Sequence, residues 1–116
     1  MDIVELREYC ISLPDVTEGF PFGEDTLVFK AFGKMFALAN LNGELSVNLK
    51  CDPEKAIELR EIYPAVEPGY HMNKKHWNTV RIDGSIPQGL IKEWINHSYN
   101  LVKSGKKGRR AWVVAE

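Results

Sequence analysis

The residues best equipped for chemistry lie between Pro68 and Val80, where PGYHMNKKHWNTV holds two histidines, two lysines, two asparagines, a tyrosine and a tryptophan without one acid. As a nucleic-acid surface, Lys74, Lys75 and Arg81 supply cations for phosphates, Asn73 and Asn78 supply amides, and Tyr70, His71, His76 and Trp77 supply rings for stacking. Lys30, Lys34 and Lys50, from neighbouring strands and their turn, extend that patch. Lys103, Lys106, Lys107, Arg109 and Arg110 add non-specific, salt-sensitive attraction. As a ligand cleft, Phe20, Phe22, Tyr70, Met72 and Trp77 form aromatic walls, with the lysines and histidines holding an anionic or polar group. The competing reading is that Phe20, Phe22 and Trp77 are ordinary core, since each ring can bury a large area.

Other chemistries find less support. His71 and His76 stand five positions apart with no cysteine nearby and only Asp83 or His97 as a third ligand, so no metal site is expected. A nucleophile elbow, a P-loop and an HExxH are absent, and Ser104-Gly105-Lys106-Lys107-Gly108 lacks the leading glycine and the hydroxyl residue of a phosphate loop. His71 with Glu67, or His76 with Asp83, makes an acid–base pair only if folding closes them together. The chain therefore reads as a non-enzyme without a cofactor.

The elements that must position these residues follow from periodicity. Asp2 and Glu5 have capping-box spacing, and Ile3, Leu6, Cys10 and Leu13 form a helical stripe that Pro14 stops. Val16 to Gly23 is turn-rich and leaves room for a short edge strand at most. Strands are expected at Thr26 to Phe32, Lys34 to Leu41 and Leu45 to Leu49, with reversals at Phe32-Gly33 and, as a two-residue hairpin, at Asn42-Gly43. In the third, Leu45, Val47 and Leu49 face the core, leaving Ser46, Asn48 and Lys50 on a polar surface. Asp52-Pro53 opens a helix that ends before Pro64. An extended piece around Val66 leads through the polar loop to a strand from Asn78 to Ile82, closed by Asp83-Gly84. After Pro87, Leu90, Ile91, Trp94, Ile95, Tyr99 and Val102 mark a core-facing helix. The fold class is α+β on an antiparallel sheet, in the order α-β-β-β-α-β-β-α.

At 116 residues, with 44% hydrophobic and 27% charged residues, the chain suits one globular domain, expected over residues 1–104, with a basic, flexible tail over 105–116. No apolar run approaches the ~20 residues of a membrane span, and the N-terminus lacks the form of a signal peptide, so a cytoplasmic protein is expected. Cys10 and Cys51 have no CxxC partner. Formal net charge is −1, without the basic excess of a dedicated nucleic-acid binder. Charge nevertheless separates along the chain: residues 1–68 hold 6 basic against 13 acidic side chains, and residues 69–116 hold 9 against 3.

The run Ser46 to Pro53, the HxNKxHW motif of His71, Asn73, Lys74, His76 and Trp77, and Asp83-Gly84-Ser85-Ile86-Pro87 closely resemble the MmcQ/YjbR family of small bacterial proteins. Phe20-Pro21-Phe22-Gly23 and His97-Ser98-Tyr99 share the similarity, which spans all but the last several residues. The resemblance implies a single α+β domain of CyaY-like or secretion-chaperone-like topology. It also implies a DNA-binding label, drawn from likeness to a double-wing domain, with two β-hairpins as wings against double-stranded DNA. The leading expectation is thus a non-catalytic binder of double-stranded DNA. The alternative is a small-molecule or protein-binding module using an aromatic cleft around Trp77.

Overall fold

The helices begin where their caps dictate. In the computed structural model, which describes residues 1–105, Asp2 Oδ1 accepts from Glu5 N (2.8 Å) and Glu5 Oε1 accepts from Asp2 N (3.0 Å), opening α1 (Ile3–Ser12). Asp52 caps α2 (Pro53–Ile62), with proline at the first position, where no amide hydrogen is required. α3 (Gln88–Gly105) follows Pro87 and runs past the expected end, Ser104 Oγ donating back to Asn100 O (3.0 Å). The rest of the expected tail, including the apolar Ala111 to Val114, lies outside the described residues.

Among the described residues six strands form one antiparallel sheet: β1 (Val16–Gly19), β2 (Thr26–Ala31), β3 (Lys34–Asn40), β4 (Ser46–Lys50), β5 (Val66–Pro68) and β6 (Trp77–Arg81), in spatial order β1-β2-β3-β4-β6-β5. The turn-rich segment after α1 thus yields a real edge strand, secured to α1 by a two-pronged Arg7–Glu18 ion pair (2.8 and 2.6 Å). Between β2 and β3, Phe32 and Gly33 both have positive φ (56° and 78°), the geometry a two-residue hairpin demands. The Phe32 ring packs 5.9 Å from that of Tyr99, offsetting the cost of a non-glycine there.

The other hairpin departs from expectation. β3 ends at Asn40 and β4 begins at Ser46, and of Asn42 and Gly43 only the glycine has positive φ (80°). The Asn40 side chain exchanges hydrogen bonds with the Asn42 backbone (3.2 and 3.3 Å), and Leu41 N donates to Asp25 O (2.8 Å). The local Asn40 bonds, together with the more distant Asp25, open the turn into a longer connection, as asparagine side chains do when they compete with a ladder.

The helices α1, α2 and α3 all cover one face of the sheet. Leu6 and Cys10 of α1, Ala56 and Leu59 of α2, and Ile91, Trp94, Ile95 and Val102 of α3 bury themselves against Leu27, Phe29, Phe36, Val47, Leu49 and Val80. A register shift at Phe29/Lys30 leaves Phe36 as an extra residue in β3. The β3–β4 ladder stops at Ala37–Leu49. Where its next rung would join Phe36 to Lys50, the buried Ser98 intervenes: its Oγ donates to Phe36 O (2.6 Å) and accepts from Lys50 N (2.9 Å).

The neighbours of Ser98 act alike. Tyr99 Oη donates to Pro14 O (2.6 Å), tying α3 to the end of α1, and His97 Nε2 accepts from Asp52 N (3.2 Å), tying it to the start of α2. Burial, and then the charge of Lys55, hold the His97 pKa below its ordinary value, with Asp52 opposing. As pH falls, the unfolded chain therefore takes up this proton before the folded one, so stability present above the unfolded value of ~6.5 is lost as pH drops toward the folded value. Urea midpoints at about pH 7.5 and about pH 5.5 should show that decline, and His97→Gln should have a smaller one. An identical decline in the variant would remove His97 as its source.

Candidate functional site

Register divides the open face of the sheet, opposite the helices, into three rows of side chains. At one end Thr26, Asn40, Ser46 and Arg81 stand side by side across β2, β3, β4 and β6. The middle row runs Val28, Leu38, Asn48, Thr79 and Glu67. At the other end Lys30 pairs with Met35 and Lys50 with Trp77. Val28, Leu38 and Trp77 bury one another there as a second, smaller apolar cluster, with Met35 and Met72 against it.

Met72 reaches that cluster because the segment between β5 and β6 folds back over the open face. Gly69 N donates to Trp77 O (2.9 Å), Tyr70 N to Thr79 Oγ1 (2.8 Å), and Asn48 Nδ2 to Tyr70 O (3.2 Å). His71 turns the chain at φ 60°, its ring 4.0 Å from that of Tyr70. Asn73 Oδ1 accepts from Lys75 N (2.9 Å), Lys74 Nζ donates to Gly69 O (3.1 Å), and Cys51 N donates to His76 O (2.7 Å). Much of this polar loop is therefore spent holding its own shape.

Between the folded-back segment, the sheet and the Phe22 loop lies a groove of about 610 Å³. Its apolar lining comes from Phe22, Met35, Leu38, Pro68 and Met72. Tyr70 and His71 form a rim, and Asn40, Ser46, Asn48, Thr79, Glu44, Glu67 and Arg81 give its polar part. Tyr70 and Phe22 are 69% and 64% exposed, available to a ligand at no cost in core packing. A shallower depression beside Phe20, Gly19 and Lys30 adjoins the β1 edge.

The sequence-expected site residues divide accordingly. Tyr70, His71 and Arg81 line the groove; Lys30, Lys34, Lys50, Asn73, Lys74, Lys75 and His76 do not. Two expectations need correction. Trp77 is 8% exposed, a wall of the small apolar cluster with no ring face to offer a base or ligand. Asn78, 2% exposed, lies on the helix side, accepting from Arg60 Nε (2.7 Å) and donating to Ala56 O (3.3 Å). The physical reason is strand alternation: once Trp77 packs on the open face, Asn78 must point into the helical layer. Arg81 is no free cation, since Glu67 (2.5 Å) and Asp83 (3.9 Å) both flank it. That pairing commits Glu67 away from His71, while His76 and Asp83 sit beyond opposite ends of β6, so neither acid–base pair closes.

Arg60 is the residue sequence reasoning missed. From α2 its guanidinium reaches Asn78 Oδ1, Lys74 O and Trp77 O (3.3 Å), fastening the end of the loop to the helical layer. In sequence it is one more cation on an amphipathic helix, and no local signal marks its three acceptors. Arg60→Met should cost about 1.5–3 kcal/mol, the range for hydrogen bonds to a charged group. Arg60→Lys should recover little, because an ammonium cannot span acceptors that a planar fork can. Urea unfolding would check both; full recovery by lysine would show that charge alone matters.

The thiols are not reactive groups. Burial pushes Cys10 up to about 12 and Cys51 up to about 11, so both stay protonated near neutrality. Among the described residues, no group of three His, Cys, Asp or Glu is arranged to hold a metal ion, and no helix is long and apolar enough to cross a membrane.

Fold and groove together define a two-layer α+β domain: among the described residues, three helices on one face of a six-stranded antiparallel sheet, with the other face grooved. The YjbR family model matches residues 11–101, and the chain belongs to that family, as the HxNKxHW and DGSxP motifs imply. It is 44% identical over 100 residues to YbdF of Escherichia coli O157:H7, covering 85% of this chain and 82% of that one. It is 34% identical over 112 residues to YjbR of Escherichia coli K12, covering 92% and 95%. Among solved structures, Deinococcus radiodurans DR2400, a DUF419 domain, superposes with a TM-score of 0.83 at 44% identity, over 95% of this chain and 83% of that one. A Pseudomonas syringae protein superposes with a TM-score of 0.77 at 29% identity, over 87% and 98%.

Proposed function

We propose that this chain is a non-catalytic binding protein whose ligand, a small organic molecule, lies in the groove on the open face of the sheet. The observation that carries the reading is the groove itself: about 610 Å³, apolar at its floor, with a small set of polar groups at one end and a wall whose backbone is held by the side chains of Asn48 and Thr79. Ligand pockets of this size and mixture are the usual small-molecule sites of soluble domains. The lysines expected to hold an anionic or polar group lie outside its lining.

Double-stranded DNA is the second reading, favoured by where those lysines gather. Lys30, Lys34 and Lys50 share the end of the sheet next to the 73–76 turn, where Lys75 is exposed. Burial, and then the charge of Lys34, lower the Lys50 pKa, so the two ammonium groups feel each other. A phosphate at that end would relieve the repulsion.

An amide NMR titration separates the two readings. With 2-naphthaleneethanol, shifts are expected at Met35 to Asn40, Ser46 to Asn48 and Tyr70 to Met72, nearly independent of salt. With a mixed-sequence duplex, a phosphate contact would instead move Lys30 to Lys34 and Lys74 to His76 and fade steeply as salt rises. Shifts from the naphthyl compound scattered away from the groove would sink the small-molecule reading.

A further inference from the structure

We infer that the groove selects ligands carrying a basic amine on an apolar body, with the amine at the Glu44 end. This rests on the proposal that the groove is a small-molecule site, and adds the ligand's charge and orientation. The groove is graded along its length. Toward one end lie Met35, Leu38 and Met72, an apolar floor for a hydrocarbon or aromatic body. Toward the other stand Asn40, Ser46 and Arg81 in register, and Glu44 lines the groove there from the β3–β4 connection.

The charge balance at that end is acidic. Among the described residues Arg81 is the only lysine or arginine in the lining, and it is already flanked by Glu67 and Asp83, leaving little of its charge for an anion. Among the described residues Glu44 has neither an ion-pair nor a hydrogen-bond partner. Asn40 has its side chain engaged with the Asn42 backbone, whereas the Ser46 hydroxyl beside it makes no hydrogen bond to the described residues. An ammonium group on a bound apolar molecule would find a carboxylate and a hydroxyl oxygen there, both able to accept its protons. A carboxylate-bearing ligand would meet Glu44 with like charge and an arginine already neutralised.

The test is a matched series by NMR titration of the full chain: 2-naphthylethylamine, 2-naphthaleneethanol and 2-naphthylacetate, against wild type and Glu44→Gln. The amine should bind about fivefold more tightly than the alcohol, the gain of a partly exposed ion pair of ~1 kcal/mol, and the acid more weakly than either. Glu44→Gln should bring the amine close to the level of the alcohol, and should weaken the alcohol less than the amine. If all three bind in the groove equally, or the acid binds best, the inferred charge class is overturned while the groove survives as a ligand site. If none moves groove amides, both ideas fall together.

Discussion

Ser98→Ala should lower the stability of this domain by about 3 kcal/mol, because one hydroxyl satisfies two backbone groups in the interior and its loss strands both. An unpartnered buried donor or acceptor costs ~1–3 kcal/mol, and Ser98 is fully buried, leaving water little room to replace it. The side chain removed is small, so the cavity term is minor beside the lost hydrogen bonds. The Lys50 amide should also exchange with solvent faster than in wild type, since its acceptor is gone while the rest of the β3–β4 ladder remains. Urea denaturation gives the first quantity and hydrogen exchange the second. An unchanged midpoint would mean that Phe36 and Lys50 close their own rung when the serine is absent.

Gly69→Ala should cost about 2–3 kcal/mol, the upper part of the overpacking range, and loosen the groove's wall. A Cβ on Gly69 would stand 2.7 Å from Trp77 Cβ, 2.9 Å from Trp77 O and 3.1 Å from Met72 Cβ. Relief cannot come from a flexible side-chain end. Two of those atoms belong to Trp77 at the start of β6, and Gly69 N already donates to that same carbonyl at 2.9 Å. Backing away breaks the hydrogen bond that seats the loop and draws Met72 off its cluster. Gly89→Ala is the control: nothing lies within 4 Å of its added Cβ, and within a helix alanine is favoured over glycine by up to ~1 kcal/mol. Amide shifts of Tyr70 to His76 should collapse toward unstructured values in Gly69→Ala and stay put in Gly89→Ala. Preserved loop shifts with an alanine at position 69 would show that the close approach is not what holds the wall.

Much of the architecture was legible because its causes are local. The capping box at Asp2, the Asp52-Pro53 start, the prolines beyond α1 and α2, the positive-φ turn at Phe32-Gly33 and the alternation in β4 are decided by residues a few positions apart. The Asn42-Gly43 turn departs from the two-residue hairpin because competing donors and acceptors come from Asn40 and from Asp25, the second of which is distant in sequence. The HxNKxHW stretch was legible as a family mark, and three of its residues serve the loop itself: Asn73 and Lys74 bond within it, and Trp77 anchors it. A row of chemically able side chains in sequence carries no information about which are already engaged.

The sequence by itself determined the α+β class and the helix boundaries near their caps, since propensity, capping and period act within a turn or a strand. Only the tertiary structure decided that Trp77 and Asn78 are buried on opposite faces, that Arg81 is neutralised, and that Ser98 and Arg60 bind elements far away in the chain. It also set the open face as a groove graded from apolar to acidic, with the lysines gathered beyond its apolar end. These features depend on pairings between residues from about a dozen to some sixty positions apart, and such pairings are settled by strand register and side-chain packing, which no local pattern encodes.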